Sequence, residues 1–141
     1  MKATSTAVIL LANTWMSAQA AEPATLTLAC QGTATDRYAG STDDGKPEPY
    51  SAGVIIDFTA RTVEGIAFPA KISGVTNVIV TFEGSQDGIL ETIWTVNGHI
   101  DRVTGDLEAT LRMRDKKTGK SAGSVTGTVY SLKCRPAQRM F

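Results

Sequence analysis

The chain has 141 residues, of which 42% are hydrophobic and 20% charged, and its formal net charge is zero. This composition is typical of an ordinary soluble protein and excludes a disordered or collagen-like chain. A neutral chain also provides no electrostatic attraction for nucleic acid or for an anionic lipid surface.

The first twenty residues have the pattern of a secretory signal peptide. Lys2 gives a positive start, residues 7–12 form a short apolar run, and Ala18 and Ala20 fit the small-x-small cleavage rule. The run is far shorter than the ~20 apolar residues that a transmembrane helix needs, and no later segment reaches that length. The pattern therefore predicts export to the periplasm or the medium.

Cleavage after Ala20 divides the chain into a signal peptide at 1–20 and a single domain at 21–141. A wrongly assigned start, or a merely frayed terminus, is the alternative for the first segment. A lipoprotein is another alternative, in which Cys30 would carry the lipid. Thr27 stands where a lipobox requires leucine, which argues against it.

The only two cysteines, Cys30 and Cys134, lie near the two ends of the exported domain. An oxidising compartment converts paired thiols into disulfides. We therefore predict a Cys30–Cys134 disulfide, which requires the first and last strands to be neighbours.

Helical periodicity is absent after residue 20, and short alternating runs bounded by Gly, Pro, Asp and Thr recur about every ten residues. This pattern indicates an all-β domain. Segments 40–49 and 83–88 are predicted loops, and Pro69 ends a strand. About eight strands are predicted, at 25–30, 32–38, 54–58, 62–68, 78–82, 94–100, 107–113 and 124–133.

Alternation within these runs predicts which side chains face the core. The inward set is Leu26, Leu28, Cys30, Val54, Ile56, Phe58, Val78, Val80, Phe82, Trp94, Val96, Gly98, Ile100, Leu107, Ala109, Leu111, Met113, Tyr130, Leu132 and Cys134.

Two copies of an Asp-x-x-Thr-Gly pattern, at 101–105 and 115–119, predict hairpin turns. The dipeptide Asn97-Gly98 is also a turn signal, but alternation continues through it, so we predict strand there. A closed up-and-down barrel of mostly antiparallel strands is the favoured fold because closure brings the two cysteines together. A two-sheet sandwich is the alternative.

The chain contains one histidine, His99, which strand parity turns outward beside a hairpin. The Gly-x-Ser-x-Gly motif is missing, and one histidine without a free thiol cannot build a zinc site. We therefore predict no catalytic residue, no metal site and no cofactor, and we assign no ligand-binding residue. Three carboxylate pairs lie at predicted turns, where aspartate is common for structural reasons: Asp43–Asp44, Glu83–Asp87 and Asp101–Asp106.

Charge is unevenly distributed along the exported domain. Residues 21–108 hold 5 basic and 13 acidic side chains, and residues 109–141 hold 8 basic and one acidic. We expect neighbouring strands to compensate these charges, and a polar contact surface is the alternative.

The strand around Cys30, the turn at 100–110 and the ending at 132–137 resemble a group of small exported bacterial proteins. This resemblance implies export and an all-β domain, and it transfers no catalytic residue. The segment 28–32 with a late second cysteine is also similar to periplasmic lysozyme inhibitors, which are small disulfide-tied barrels. The inhibitory loop pattern of that family is not recognisable in this chain.

These observations predict a non-enzymatic β module that binds a partner protein. We expect a monomer that binds no nucleic acid and does not span a membrane. The alternative function is a small carrier whose barrel lumen, lined by Phe58, Phe82 and Trp94, encloses an apolar ligand.

Overall fold

The structure is a computed structural model that describes residues 24–40, 45–123 and 125–137. The predicted signal peptide at 1–20 lies outside these residues. The described chain contains eight strands: β1 Thr25–Tyr38, β2 Glu48–Asp57, β3 Thr62–Glu64, β4 Ala70–Val75, β5 Ile79–Asp87, β6 Thr92–Asp101, β7 Asp106–Asp115 and β8 Val125–Pro136.

The strands form one closed barrel in which each strand pairs with the next along the chain. Every pairing is antiparallel, and β8 returns to pair with β1. This topology confirms the predicted up-and-down barrel and excludes the two-sheet sandwich.

The closing seam between β1 and β8 carries the predicted disulfide. Cys30 lies directly opposite Cys134 in the register, with 4.0 Å between their Cα atoms and a bond between their sulfurs. Both side chains are buried, as the shared parity of Cys30 with Leu28 predicts.

The interior of the barrel is filled with side chains. Phe82 is 2% exposed, and Gly98 on the adjacent strand makes room for its ring, since a Cβ at Gly98 would collide with it. Asn97-Gly98 therefore lies within β6, as alternation predicts, and is not a turn. The buried core consists of Leu28, Cys30, Val54, Ile56, Val63, Ile66, Ala70, Ile72, Val80, Phe82, Val96, Ile100, Leu107, Ala109, Tyr130, Leu132 and Cys134.

The boundaries of the early strands differ from the prediction. The predicted strands 25–30 and 32–38 are one continuous strand, because Gly32 does not end it. A Cβ at Gly32 would collide with the backbone of Ser131 on β8, so the glycine permits a close approach of two strands.

The predicted strand at 62–68 begins at Thr62 as predicted, but its predicted end is wrong, because β3 ends at Glu64. Gly65 has a positive φ of 104° and lies against the backbone of β2, and Ile66 then turns inward and is buried in the core. Pro69 precedes a further strand, β4, that the sequence pattern did not predict.

The predicted hairpin loop at 83–88 is wrong as well. Strand β5 continues to Asp87, and the turn to β6 occupies residues 88–91. Val78, predicted to face inward, precedes β5 and is 44% exposed.

The barrel has two ends with different contents. One end holds the start of β1, the end of β8 and the β2–β3, β4–β5 and β6–β7 turns; the disulfide lies nearer to it, and we call it the disulfide end. The other holds the β5–β6 and β7–β8 turns, and we call it the tip end. Both Asp-x-x-Thr-Gly turns form as predicted, with 101–105 at the disulfide end and 115–119 at the tip end.

Candidate functional site

Two of the three carboxylate pairs at predicted turns lie within the described residues, and neither of the two forms an acid–base pair or a metal site there. Glu83 and Asp87 lie four residues apart on β5, about 13 Å along the strand. The carboxylates of Asp101 and Asp106 are engaged within their own turn. The pair at 43–44 lies outside the described residues.

The described residues contain no group of three or more histidine, cysteine, aspartate or glutamate side chains that could hold a metal ion. His99 is half-buried and lies between Thr81 on β5 and Glu108 on β7. The outward direction predicted for His99 follows from its register, although its neighbours cover part of the ring.

Hydrogen bonds within the two turns lower the pKa values of Asp101, Asp106 and Asp115. The backbone amide of Thr104 lowers the pKa of Asp101, and the amide of Thr118 does the same for Asp115. The hydroxyl of Thr104 lowers the pKa of Asp106. These carboxylates therefore remain ionised acceptors that hold turns together.

Tyr130 is buried at one wall of the interior. Burial raises the pKa of its hydroxyl, and Tyr50 and Asp36 raise it further. The rings of Tyr130 and Tyr50 pack with centroids 5.0 Å apart. The Tyr130 hydroxyl therefore stays protonated at neutral pH and is not activated as a nucleophile.

The three aromatic residues proposed to line a lumen do not share one cavity. Phe82 is packed in the central core, whereas Phe58 and Trp94 are only half-buried and lie toward opposite ends. Phe58 follows β2 at the disulfide end, and Trp94 lies near the start of β6 at the tip end.

The β5–β6 turn presents two exposed apolar side chains, and we call Ile89 and Leu90 the tip. Ile89 is 81% exposed and Leu90 is 89% exposed, the highest values among the exposed large hydrophobic residues that the structure describes. The amide of Thr92 donates to the carbonyl oxygen of Ile89 at 3.2 Å, which closes a four-residue turn.

The backbone of this turn adopts an unfavourable conformation. Leu90 and Glu91 both have positive φ, 53° and 57°, as the central residues of a type I′ turn do. Asparagine and glycine usually occupy these positions because other side chains crowd the following carbonyl group, at a cost of roughly 1–2 kcal/mol per residue. Leu90 is therefore both exposed and held in a strained backbone conformation.

The tip is fixed to the neighbouring β7–β8 turn. The amide of Lys116 donates to the carbonyl oxygen of Glu91 at 2.8 Å. The Lys116 ammonium also pairs with Asp87 at 2.8 Å, and the Lys117 ammonium pairs with Glu91 at 2.6 Å. The two turns thus form one apex in which ion pairs flank the apolar tip.

These ion pairs fulfil the expectation that the acidic and basic parts of the chain compensate each other. Three ion pairs among the described residues join the acidic segment to the basic one: Asp87–Lys116, Glu91–Lys117 and Asp106–Lys133.

Gly88, which precedes the tip, lies against Trp94. A Cβ added at Gly88 would collide with Thr92 and lie about 3 Å from the indole of Trp94, so the turn and the ring are in close contact. Trp94 has the same parity as Val96, as predicted, but it is only half-buried and lies near the start of β6.

Sequence patterns missed this site because none of the residues at 88–91 signals a type I′ turn except Gly88, which precedes the two strained positions. The one available signal is the adjacent apolar pair Ile89-Leu90, which interrupts the alternation of β5 and β6.

Comparison with protein-family models, curated proteins and solved structures found no match for this chain. Within the described ranges, no helix has the length and apolar character required to cross a membrane. The resemblances to small exported bacterial proteins and to periplasmic lysozyme inhibitors therefore stay predictions.

Proposed function

We propose that this chain is an exported, non-enzymatic β module that binds a partner protein through its tip. The observation that carries the proposal is the side chain of Leu90, 89% exposed on a turn with two residues of positive φ.

Both properties of the turn cost free energy in the isolated protein. A polar residue at position 90 would avoid exposing hydrocarbon, and an Asn-Gly pair would relieve the strained backbone. Strain of this kind persists mainly where a conformation is used for binding or catalysis. An apolar partner surface would bury Leu90 and recover part of the cost.

The surroundings of the tip indicate the chemistry of that partner. Asp87, Glu91, Lys116 and Lys117 contribute two negative and two positive charges around two apolar side chains. An apolar centre with a polar rim is the usual arrangement of a protein–protein interface. The partner expected is a protein with an apolar socket bordered by charges of both signs.

Export is part of the same proposal. The buried disulfide is compatible with an oxidising compartment, and the residues at 1–20 have the pattern of a signal peptide.

Site-specific cross-linking tests the proposal in the native host. A photo-cross-linking amino acid is introduced at position 90 and, as a control, at position 78. Val78 is also an exposed apolar residue in a turn, but it lies at the disulfide end. We expect a protein adduct from position 90 and not from position 78, and the captured protein is then identified and purified.

Titration of the purified partner then measures the contribution of the tip. Leu90→Asn should weaken binding by about 30-fold or more, which corresponds to a hot-spot loss of ~2 kcal/mol. Asparagine tolerates positive φ, so Leu90→Asn should unfold at the same denaturant concentration as the wild type or a higher one. Val78→Asn should bind like the wild type.

Equal affinity of the wild type and Leu90→Asn would overturn the proposal. An adduct only to lipid, with saturable binding of phospholipid vesicles that Leu90→Asn abolishes, would assign the tip to a membrane surface instead and would also overturn it.

A further inference from the structure

The disulfide end of the barrel contains a cavity that is separate from the tip. It has a volume of about 370 Å³ and opens between the start of β1, the end of β2, the β6–β7 turn and the end of β8. Cavities that bind small molecules usually have volumes of roughly 300–1,000 Å³. The size is therefore sufficient for a small ligand.

The inner surface of this cavity is hydrocarbon. Leu28, Ile56 and Ile100 are buried core residues that form its floor, and the half-buried side chains of Leu26 and Phe58 form its walls. These side chains provide no hydrogen-bond partner, so a polar group placed on the floor would lose its hydration without replacement. An apolar tail suits this surface.

Asp101, the acidic residue at the rim of the cavity, is hydrogen-bonded within its own turn. The carboxylate of Asp101 accepts hydrogen bonds from the amides of Val103 and Thr104, each at 2.8 Å. These two N–H groups hold the ionised carboxylate within its own turn.

Two guanidinium groups belong to the same rim. Arg102 lies over the ring of Phe58, 5.6 Å from its centroid, and donates a hydrogen bond to the carbonyl oxygen of Thr76. These contacts fix its positive charge beside the apolar wall. Arg135, at the end of β8, is exposed on the other side of the opening. Of the charged residues that line this cavity, two are basic, Arg102 and Arg135, and one is acidic, Asp101.

We propose that this cavity binds a free single-chain carboxylate, with its apolar tail on the floor and its head group at the rim near Arg135. The ligand lies at the disulfide end of the barrel, where the core residues Leu28, Ile56 and Ile100 contact its tail. This site is independent of the tip, so either proposal can fail without affecting the other.

Calorimetric titration with two matched amphiphiles tests the proposal. Dodecanoate and dodecyltrimethylammonium have the same tail and opposite charges, and both are used below the concentration at which they form micelles. We expect saturable, one-to-one binding of dodecanoate and at least tenfold weaker binding of dodecyltrimethylammonium. Amide NMR shifts on dodecanoate binding should concentrate at Ile56, Phe58 and Ile100.

Two variants separate the roles of head group and tail. Arg135→Glu should weaken dodecanoate binding by about tenfold, because it replaces attraction by repulsion at the rim. The matched control is Arg112→Glu, which makes the same charge change at an exposed arginine of β7 away from the cavity. Leu26→Trp should abolish binding of both amphiphiles by filling the cavity, and its NMR spectrum verifies that the barrel is folded.

Absence of saturable dodecanoate binding would overturn the proposal. Equal affinity for the two amphiphiles would overturn the assignment of the head group, as would an equal loss in Arg135→Glu and Arg112→Glu. Binding of anionic phospholipid vesicles without binding of free dodecanoate would assign the rim to a membrane surface and would overturn it as well.

Discussion

At the tip end the barrel exposes two apolar side chains on a strained turn, whereas at the disulfide end it collects apolar side chains around a cavity beneath a relaxed turn. The two ends use the same turn chemistry, since an Asp-x-x-Thr-Gly turn lies at each. The turn at 101–105 lines the cavity. The turn at 115–119 joins β7 to β8, and its Lys117 forms an ion pair with Glu91 beside the tip.

This difference indicates that the packed centre of the barrel acts as a scaffold. The features that distinguish the two ends, the tip and the cavity, lie in the turns and strand ends that the scaffold holds in place. In the described part of the chain, the core between the ends is packed and contains no buried polar or charged side chain. Such a centre can hold two unrelated surfaces about 30 Å apart, the length of a ten-residue strand. The two ends should therefore respond separately to substitution.

The largest effect is expected from removing the disulfide. Cys30→Ala combined with Cys134→Ala should lower the free energy of unfolding by about 2–5 kcal/mol, because the bond closes a loop of 104 residues in the unfolded chain. Urea unfolding measures the loss. Amide hydrogen exchange should increase most along the β1–β8 seam, and an equal increase in the tip hairpin would break the proposed separation of the two ends.

A smaller effect should distinguish the two equivalent glycines of the repeated turns. Gly105 and Gly119 have positive φ, 77° and 67°, so alanine costs roughly 1–2 kcal/mol at either position. A Cβ at Gly105 would also collide with the carbonyl oxygen of Cys134, whereas the space around Gly119 is open.

We therefore expect Gly105→Ala to destabilise the protein by about 2–4 kcal/mol and Gly119→Ala by about 1–2 kcal/mol. Thermal or urea unfolding of the two variants side by side checks this order. Similar losses would mean that the two turns are packed alike, contrary to the structure.

The smallest effect should come from pH, because the aspartates concerned lie in surface turns, where solvent weakens their interactions. The pKa of Asp101 and of Asp115 is lowered in the folded state from 3.8, so their stabilising contribution is present above that pH and is lost as pH falls through the folded pKa. The melting temperature should therefore decrease as pH falls below about 4.

Substitution of these aspartates assigns the pH effect to each end. Asp101→Asn and Asp115→Asn should each make the decrease of melting temperature with acid less steep, and the double variant should combine both changes because the sites are far apart. If the melting temperature decreased equally with falling pH in the wild type and in all three variants, the pH effect could not be assigned to these two aspartates.

The regular parts of the barrel could be predicted from the sequence. Leu107 and Ala109 alternate with Glu108 along β7, and this period of two identified the inward face. The seam was predictable because Cys30 shares its parity with the core leucines and has only one possible partner, Cys134.

The irregular parts could not be predicted, for physical reasons. The tip turn adopts positive φ at Leu90 and Glu91, two residue types that usually avoid it, so their identity carries no signal for the turn. Strand β3 ends where Gly65 approaches the backbone of Gly53, a contact between distant parts of the chain. The cavity at the disulfide end depends in the same way on how several strand ends meet.

The position of the disulfide also determines how the molecule would respond to mechanical tension. If the chain were pulled at points before residue 30 and after residue 134, the force would pass from β1 to β8 directly through the covalent bond between their sulfurs. The 104-residue separation between the cysteines would be shielded from extension, and only the short segments outside it would straighten. Both the tip and most of the cavity lining belong to the shielded part, so an oxidised barrel can be held under load without being unravelled.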